Sequence, residues 1–340
     1  MEQIAFIWGP YMVYWSTAIL TMACAVGLLL FLFLYLWDEA DTVGGFCAVP
    51  LSLGFGMVFS RLAYWHFRPG SFESLRQALT DYSRGGFLLA GAFAGIFLAA
   101  LLLAALRRGR HLGAMLDAMS LAGSGAIALG RLACFTNSAD RGGILPKGAL
   151  LGSEVISAVT GAAEYRLNTF VLQSAAAGVI FLIVLVVFFA RKREYHRRPG
   201  DIFWLFCLYY GGSQAVLDST RTDSYFFRAN GFVSVVQVLG LCAVVLALVC
   251  FTVRYLKARG SKLGTLALWV TGLLFLGGAG YMEYYVQRHG SEAMFAYTGM
   301  GICMALVLVL GTILWSAARS REIPRSMPTV YETMVQGDFR

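Results

Sequence analysis

The chain has 340 residues, of which 58% are hydrophobic and only 14% charged, with a formal net charge of +8 and a mean hydropathy of +0.67. Soluble domains carry roughly 25% charged residues, so this composition excludes an ordinary water-soluble globule and indicates a polytopic membrane protein. The excess Lys and Arg sit in short runs between apolar segments, a topology signal that argues against nucleic acid as a partner.

Taken in order, Met1 to Pro10 carries Glu2 and no basic residue, so it lacks the n-region of a secretory signal. The first apolar segment is therefore expected to stay in the mature protein. Crossing a ~30 Å hydrocarbon core takes about 20 helical residues. Apolar runs of that order fall at 11–37, 44–66, 86–106, 112–135, 169–190, 201–218, 231–255, 263–282 and 294–317. They are continuous and rich in Leu, Ala and Gly, unlike the ten-residue alternation of a membrane barrel, so an all-α fold is expected.

Most of the Lys and Arg lie in 107–111, 191–200, 254–262 and the tail from 318. By the positive-inside rule the N-terminus is expected outside and the C-terminus in the cytoplasm. The acidic Asp38-Glu39-Ala40-Asp41 loop runs against this, but acidic residues count little in that rule. The segment 136–168 is the largest outer loop and is expected to form a small cap. The hydrophilic break Arg259-Gly260-Ser261-Lys262 suggests a seven-helix core over 1–260, a two-helix appendage over 261–317, and a mobile tail over 318–340.

Seven cysteines are scattered without C-x-x-C or a Cys/His spacing that would bind zinc, so no metal and no cofactor are expected. Cys134 reads as a packed small residue, with a reactive thiol as the alternative. The Gly91-x-x-x-Gly95 spacing favours close helix packing.

The chemistry is expected in Gly130–Gly143, where an apolar run ends in Arg131 and opens into a polar loop with Asn137, Asp140 and Arg141. An arginine inside a spanning pattern is costly unless it faces protein or a wet cavity. Arg61, Arg131 and Asp218 lie seventeen, nineteen and seventeen residues beyond Gly44, Leu112 and Asp201. That is roughly 26, 28 and 26 Å along their helices. All three stop at one level, the outer headgroup boundary. Arginine suits a lipid phosphate there because its planar fork makes bidentate, charge-assisted bonds. Asp218 and Arg221 are spaced to pair on one helical face.

These residues resemble the prolipoprotein diacylglyceryl transferases of bacterial membranes, over roughly 10–258. Ser60-Arg61-Leu62-Ala63-Tyr64 is similar to the family's G-x-R-L-x-Y, and Leu129-Gly130-Arg131-Leu132 through Asn137 to its G-R-[IL]-G-[NC]-F-x-N. Asp218 with Arg221-Thr222-Asp223-Ser224 is similar to E-x-x-R-T-D-S, and Gly85-Gly86 with Gly91 supplies the third-span motif. The chain departs from the pattern at Ala90 and Ala92, at Gln214 where the family has arginine, and at Gln173 where a glutamate is expected.

The resemblance implies transfer of a diacylglyceryl group from phosphatidylglycerol to the lipobox cysteine thiol of a preprolipoprotein, in the bacterial cytoplasmic membrane. Arg131 would hold the lipid phosphate, and Arg61, Asn137, Asp218 and Arg221 would line or brace the cavity. Arg131 and Arg141 could also favour the incoming thiolate, since nearby cations lower a thiol's pKa of about 8.5. His66 and Asp140 are the candidate general bases. The alternative is a catalytically silent paralogue that binds anionic lipid or a lipoprotein precursor as a scaffold. A transporter is disfavoured, because no Pro-broken repeats build a midplane site.

Overall fold

Each of the nine apolar stretches forms a helix in the computed structural model, which describes residues 4–9, 11–39, 41–81, 85–107, 111–156, 161–192, 198–227, 230–289 and 293–322. The long helices are α1 (Trp15–Glu39), α2 (Thr42–Phe67), α4 (Leu89–Leu106), α5 (Leu112–Arg131), α6 (Thr169–Lys192), α7 (Asp201–Leu217), α8 (Val235–Lys257), α9 (Lys262–Arg288) and α10 (Ala293–Glu322); the short α3 (Leu75–Thr80) lies between α2 and α4. Eight of them are long and apolar enough to cross a membrane. The ninth, α7, has 17 residues and is prolonged by a 3-10 turn, Asp218–Thr220. Helices are the form these runs must take, because hydrocarbon offers no partner to an open backbone N–H or C=O.

Two apolar runs begin as strand instead of helix. Tyr11–Tyr14 is not helical but pairs as strand β2 with β1 (Ile4–Trp8) across Gly9, whose φ is +58°. Similarly, β6 (Asn230–Ser234) pairs with β5 (Phe226–Phe227) before α8 begins. Aromatic and β-branched residues at these ends favour a ladder over another helical turn. Ser234 then stops the strand by capping α8 in a reciprocal box with Gln237. The expected cap over 136–168 contains the antiparallel hairpin of β3 (Gly152–Ile156) and β4 (Ala163–Leu167). The tail expected from 318 is still helical to Glu322, and 323–340 lie outside the described residues.

With the chain reversing at each connection, the three hairpins and the 68–88 loop gather at one end of the bundle. Arg131 and Asp218 end α5 and α7 there. The opposite end is fastened by charge. Asp117 of α5 accepts from the backbone N–H groups of Gly200 (2.8 Å) and Phe203 (2.9 Å) and so caps α7. Asp41 caps α2 and pairs with Arg107, and Arg254 pairs with Asp201.

Glycines set the closest helix contacts. A Cβ at Gly95 would stand 2.3 Å from the Phe55 carbonyl oxygen, and one at Gly211 2.5 Å from that of Gly240. Any side chain there would push α4 off α2 or α7 off α8. Tyr35, Leu121, Leu205, Val244, Phe251 and Val307 fill the core between the helices. Leu29, Val186, Leu246 and Leu274 remain exposed around the bundle, as lipid-facing side chains do because lipid tails are as apolar as leucine. The α9–α10 pair packs on the rest chiefly through α10, where Gly311 meets Leu208 and Leu248 and Thr312 shares a 2.8 Å hydrogen bond with Tyr209, while Trp269 of α9 donates to Thr252 of α8 at 2.9 Å.

Candidate active site

The site is built where the ends of α5 and α7 meet the start of α6. After Arg131 the chain tightens into a 3-10 turn, Leu132–Thr136. Asn137 then closes an Asx turn, its Oδ1 accepting the Ala139 N–H at 3.0 Å. Asp140 takes a left-handed backbone, φ +55°, rare for a residue other than glycine. Its carbonyl accepts the Phe170 N–H at the start of α6 (3.2 Å), and Arg141 O accepts the Thr222 N–H beyond α7 (3.0 Å). Gly142, bridged to Arg221, has room only for hydrogen, since a Cβ would lie 2.8 Å from Thr220 O.

These turns place Asp140 between two guanidiniums. Arg131 Nη1 pairs with its Oδ2, and Arg221 Nη2 lies 2.6 Å from its Oδ1. Arg221 spends its remaining donors on Asp218 (3.1 Å) and Asp223 (3.0 Å). The Asp140 N–H donates to Asp223 Oδ2 at 3.0 Å. Cys134 donates its thiol to Asp140 at 3.5 Å, and Tyr210 of α7 adjoins Arg131. Burial alone would push the Asp140 carboxyl up, but Arg131 and Arg221 outweigh it and hold it below the ordinary carboxylate range. Burial likewise works against the Arg221 charge, yet Asp140, Asp223 and Asp218 leave its pKa raised.

The other candidates occupy different positions. Arg141 braces the loop: it donates to Ser153 (2.8 Å), to Asn168, and to the carbonyls of Cys134 and Asn137 (3.1 Å each). It also lies over the Phe170 ring at 4.6 Å. Asn137 therefore shapes the turn through its side chain and supports Arg141 through its carbonyl. Arg61 is fully buried. Its fork donates to the carbonyls of Ala78 (2.7 Å), Asp81, Gly85 and Gly86 (3.0 Å), sandwiched by Phe72 and Phe87. Gly85 and Gly86 turn those carbonyls inward with φ of +63° and +90°. Arg61 thus ties Ala78, Asp81, Gly85 and Gly86 to α2. His66 is exposed at the end of α2 against Phe67; among the described contacts, none joins it to the Asp140 cluster.

Tyr210, Ser153 and Asn168 were not singled out by sequence reasoning, since each lies inside an apolar run or a cap of no recognised motif. Nor was it evident that two departures from the family pattern meet. Gln173 Nε2 of α6 donates to Gln214 Oε1 of α7 at 3.4 Å, with both side chains buried. Gln173 Oε1 and Gln214 Nε2 have no partner among the described residues. Where the family pattern expects two charges, this chain carries a neutral amide pair. Among the described residues, no group of His, Cys, Asp and Glu has the geometry of a metal site.

A family model described as prolipoprotein diacylglyceryl transferase matches residues 3–254. The chain is 24% identical over 280 residues to the phosphatidylglycerol–prolipoprotein diacylglyceryl transferase of Bacillus mycoides strain KBAB4, covering 77% of this chain and 95% of that protein. It is 23% identical over 260 residues to the protein of the same name from Limosilactobacillus reuteri strain DSM 20016, covering 75% and 91%. The cluster around Asp140 falls within the matched span, and the chain belongs to the prolipoprotein diacylglyceryl transferase family.

Proposed function

We propose that this protein transfers the diacylglyceryl group of phosphatidylglycerol to the cysteine thiol of a lipobox-bearing preprolipoprotein. It does so at the outer face of the bacterial cytoplasmic membrane, with its N-terminus outside and its C-terminus in the cytoplasm. Residues 1–260 form the transferase core and 261–317 an accessory hairpin. The observation that carries the reading is the convergence of Arg131 and Arg221 on one buried carboxylate, at the level where three membrane-depth residues stop.

In this reaction the cysteine sulfur attacks the CH2 of the diacylglycerol that bears the phosphate. A C–S bond forms, the C–O bond to phosphate breaks, and glycerol phosphate leaves. The thiol proton ends on the released phosphate monoester or on water. Arg131, which uses only Nη1 on Asp140 in the described ion pairs, offers the rest of its fork to the phosphate. Arg221 adds positive charge beside it, and both stabilise the negative charge gathering on the leaving group. Asp140 acts as the counterion that keeps the two guanidiniums together. Its depressed pKa suits that role better than that of a general base.

The Gln173–Gln214 pair favours a second reading, a member that binds the lipid without turning it over. One assay separates the two: purified protein in phosphatidylglycerol liposomes with a lipobox peptide, and a Cys→Ser peptide as control. Thioether product and glycerol phosphate from the cysteine peptide alone support the transferase. Lipid binding with neither product supports the silent member.

A further inference from the structure

Helices α9 and α10 lie beyond residue 254, where the family match ends, yet they reach the charge cluster. Glu283 is twenty-one residues into α9, about 32 Å along it by the helical rise. This puts it at the site end of the bundle. It is buried, 8% exposed, and a buried carboxyl in an apolar helix is costly enough to mark a functional position. Its partners among the described residues are amides: Gln237 Nε2 at 3.1 Å and Gln287 Nε2 at 3.4 Å.

The contact with Gln237 leads inward. The Gln237 Oε1 accepts the Ser234 N–H (2.9 Å), which fixes the orientation of the amide and turns its Nε2 toward Glu283 and Ala215 O. The Gln237 N–H donates to Ser234 Oγ at 3.1 Å. With that lone pair used, the Ser234 hydroxyl points its own proton at Asp218 Oδ2. Asp218 then holds Arg221 with its other oxygen, and Arg221 reaches Asp140. A second contact comes from α10. Tyr297, within electrostatic reach of Glu283, donates its hydroxyl to Ser219 O at 3.3 Å. The hairpin therefore holds the Asp218–Thr220 turn at two points, directly at Ser219 and through Gln237 and Ser234 at Asp218.

We propose that Glu283 and Tyr297 are positioning residues through which the α9–α10 hairpin sets the Asp218–Arg221 turn, and with it the guanidinium that adds positive charge beside the leaving phosphate. The catalytic consequence rests on the transferase reading; the grip on the turn does not. Glu283 gives the buried Gln237 Nε2 an acceptor at 3.1 Å, and so helps hold the Gln237 amide in the orientation that directs Ser234 to Asp218.

The test uses the full chain in phosphatidylglycerol liposomes with a lipobox peptide, comparing wild type with Glu283→Ala, Glu283→Gln and Tyr297→Phe. Hydrogen exchange over residues 215–235 is measured on the same samples. Glu283→Ala should lower kcat about tenfold, the scale of one buried hydrogen bond, while KM for lipid changes less than twofold. Exchange across the turn should quicken. Glu283→Gln keeps an acceptor and should stay within about twofold of wild type, and Tyr297→Phe should quicken exchange around Ser219. Unchanged kinetics and exchange in Glu283→Ala would overturn the proposal, as would Glu283→Gln being impaired as severely as Glu283→Ala. If the wild type makes no product, the transferase reading fails and the exchange arm alone decides the grip. If Glu283→Ala does not fold, Tyr297→Phe decides it by the same exchange readout.

Discussion

Removing Asp140 should destabilise the protein in a way that an anionic lipid specifically repairs. In Asp140→Ala, Arg221 keeps Asp218 and Asp223, whereas Arg131 loses the carboxylate with which it is paired. Breaking a buried ion pair from one side costs about 3–5 kcal/mol. The Arg131 side chain retains 14% of its exposure, which places the loss at the lower end, about 3 kcal/mol. At roughly 2 °C per kcal/mol for a chain of this length, the unfolding midpoint should fall by about 6 °C. Thermal unfolding in detergent, followed by intrinsic fluorescence, reads this directly. Phosphatidylglycerol at a hundred times its Kd can return about 2.7 kcal/mol by mass action, and its phosphate replaces the missing charge. Phosphatidylcholine should recover much less. Because the folded-state pKa of Asp140 is depressed, its stabilising contribution is complete above the unfolded value of about 3.9 and is lost as pH falls below it. Asp140→Asn should remove that part of the acid limb. A variant melting at the wild-type midpoint, or protected equally by both lipids, would refute the reasoning.

Arg131→Ala should lower turnover by about 10²–10³-fold, the usual loss when a charge-stabilising donor is removed. Arg131→Lys should recover only part, because a point charge lacks the fork; rates of thioether formation check both. Arg61→Ala leaves the four carbonyls of Ala78, Asp81, Gly85 and Gly86 without their donor and should cost about 4 kcal/mol at about 1 kcal/mol each. Faster hydrogen exchange over 75–88 with an unchanged KM for lipid is the expected pattern. Gln173→Glu and Gln214→Arg should each cost about 3 kcal/mol by burying an unpaired charge, while the double variant regains most of it. Strictly additive penalties in a double-mutant cycle would contradict their direct pairing.

The helices were legible because a run of apolar residues long enough to cross a bilayer has one viable backbone form. The hairpins were not, since Tyr11–Tyr14 and Asn230–Ser234 abut apolar runs and continue their hydropathy while adopting a different period. Arg131 and Asp218 could be grouped from depth along their helices, and Arg221 joined to them by its spacing from Asp218. The position of Asp140 could not, because it depends on a left-handed backbone and on Asp223, eighty-three residues away. Arg61 shows the limit of depth as a guide. Its level was readable, but the carbonyls it meets are presented by Gly85 and Gly86 through backbone angles that spacing does not report. Gln173 and Gln214 looked like two separate departures until α6 and α7 brought them into contact.

The central claim is that Arg131 clamps the phosphate of phosphatidylglycerol while a lipobox thiol displaces it. The most direct measurement counts peptide thioether and glycerol phosphate from liposomes of phosphatidylglycerol or phosphatidylcholine, for wild type and Arg131→Ala. The account predicts one glycerol phosphate per thioether with phosphatidylglycerol and wild type, and near-complete loss in Arg131→Ala. It is contradicted if folded, lipid-binding wild type yields neither product, or if Arg131→Ala turns over at the wild-type rate.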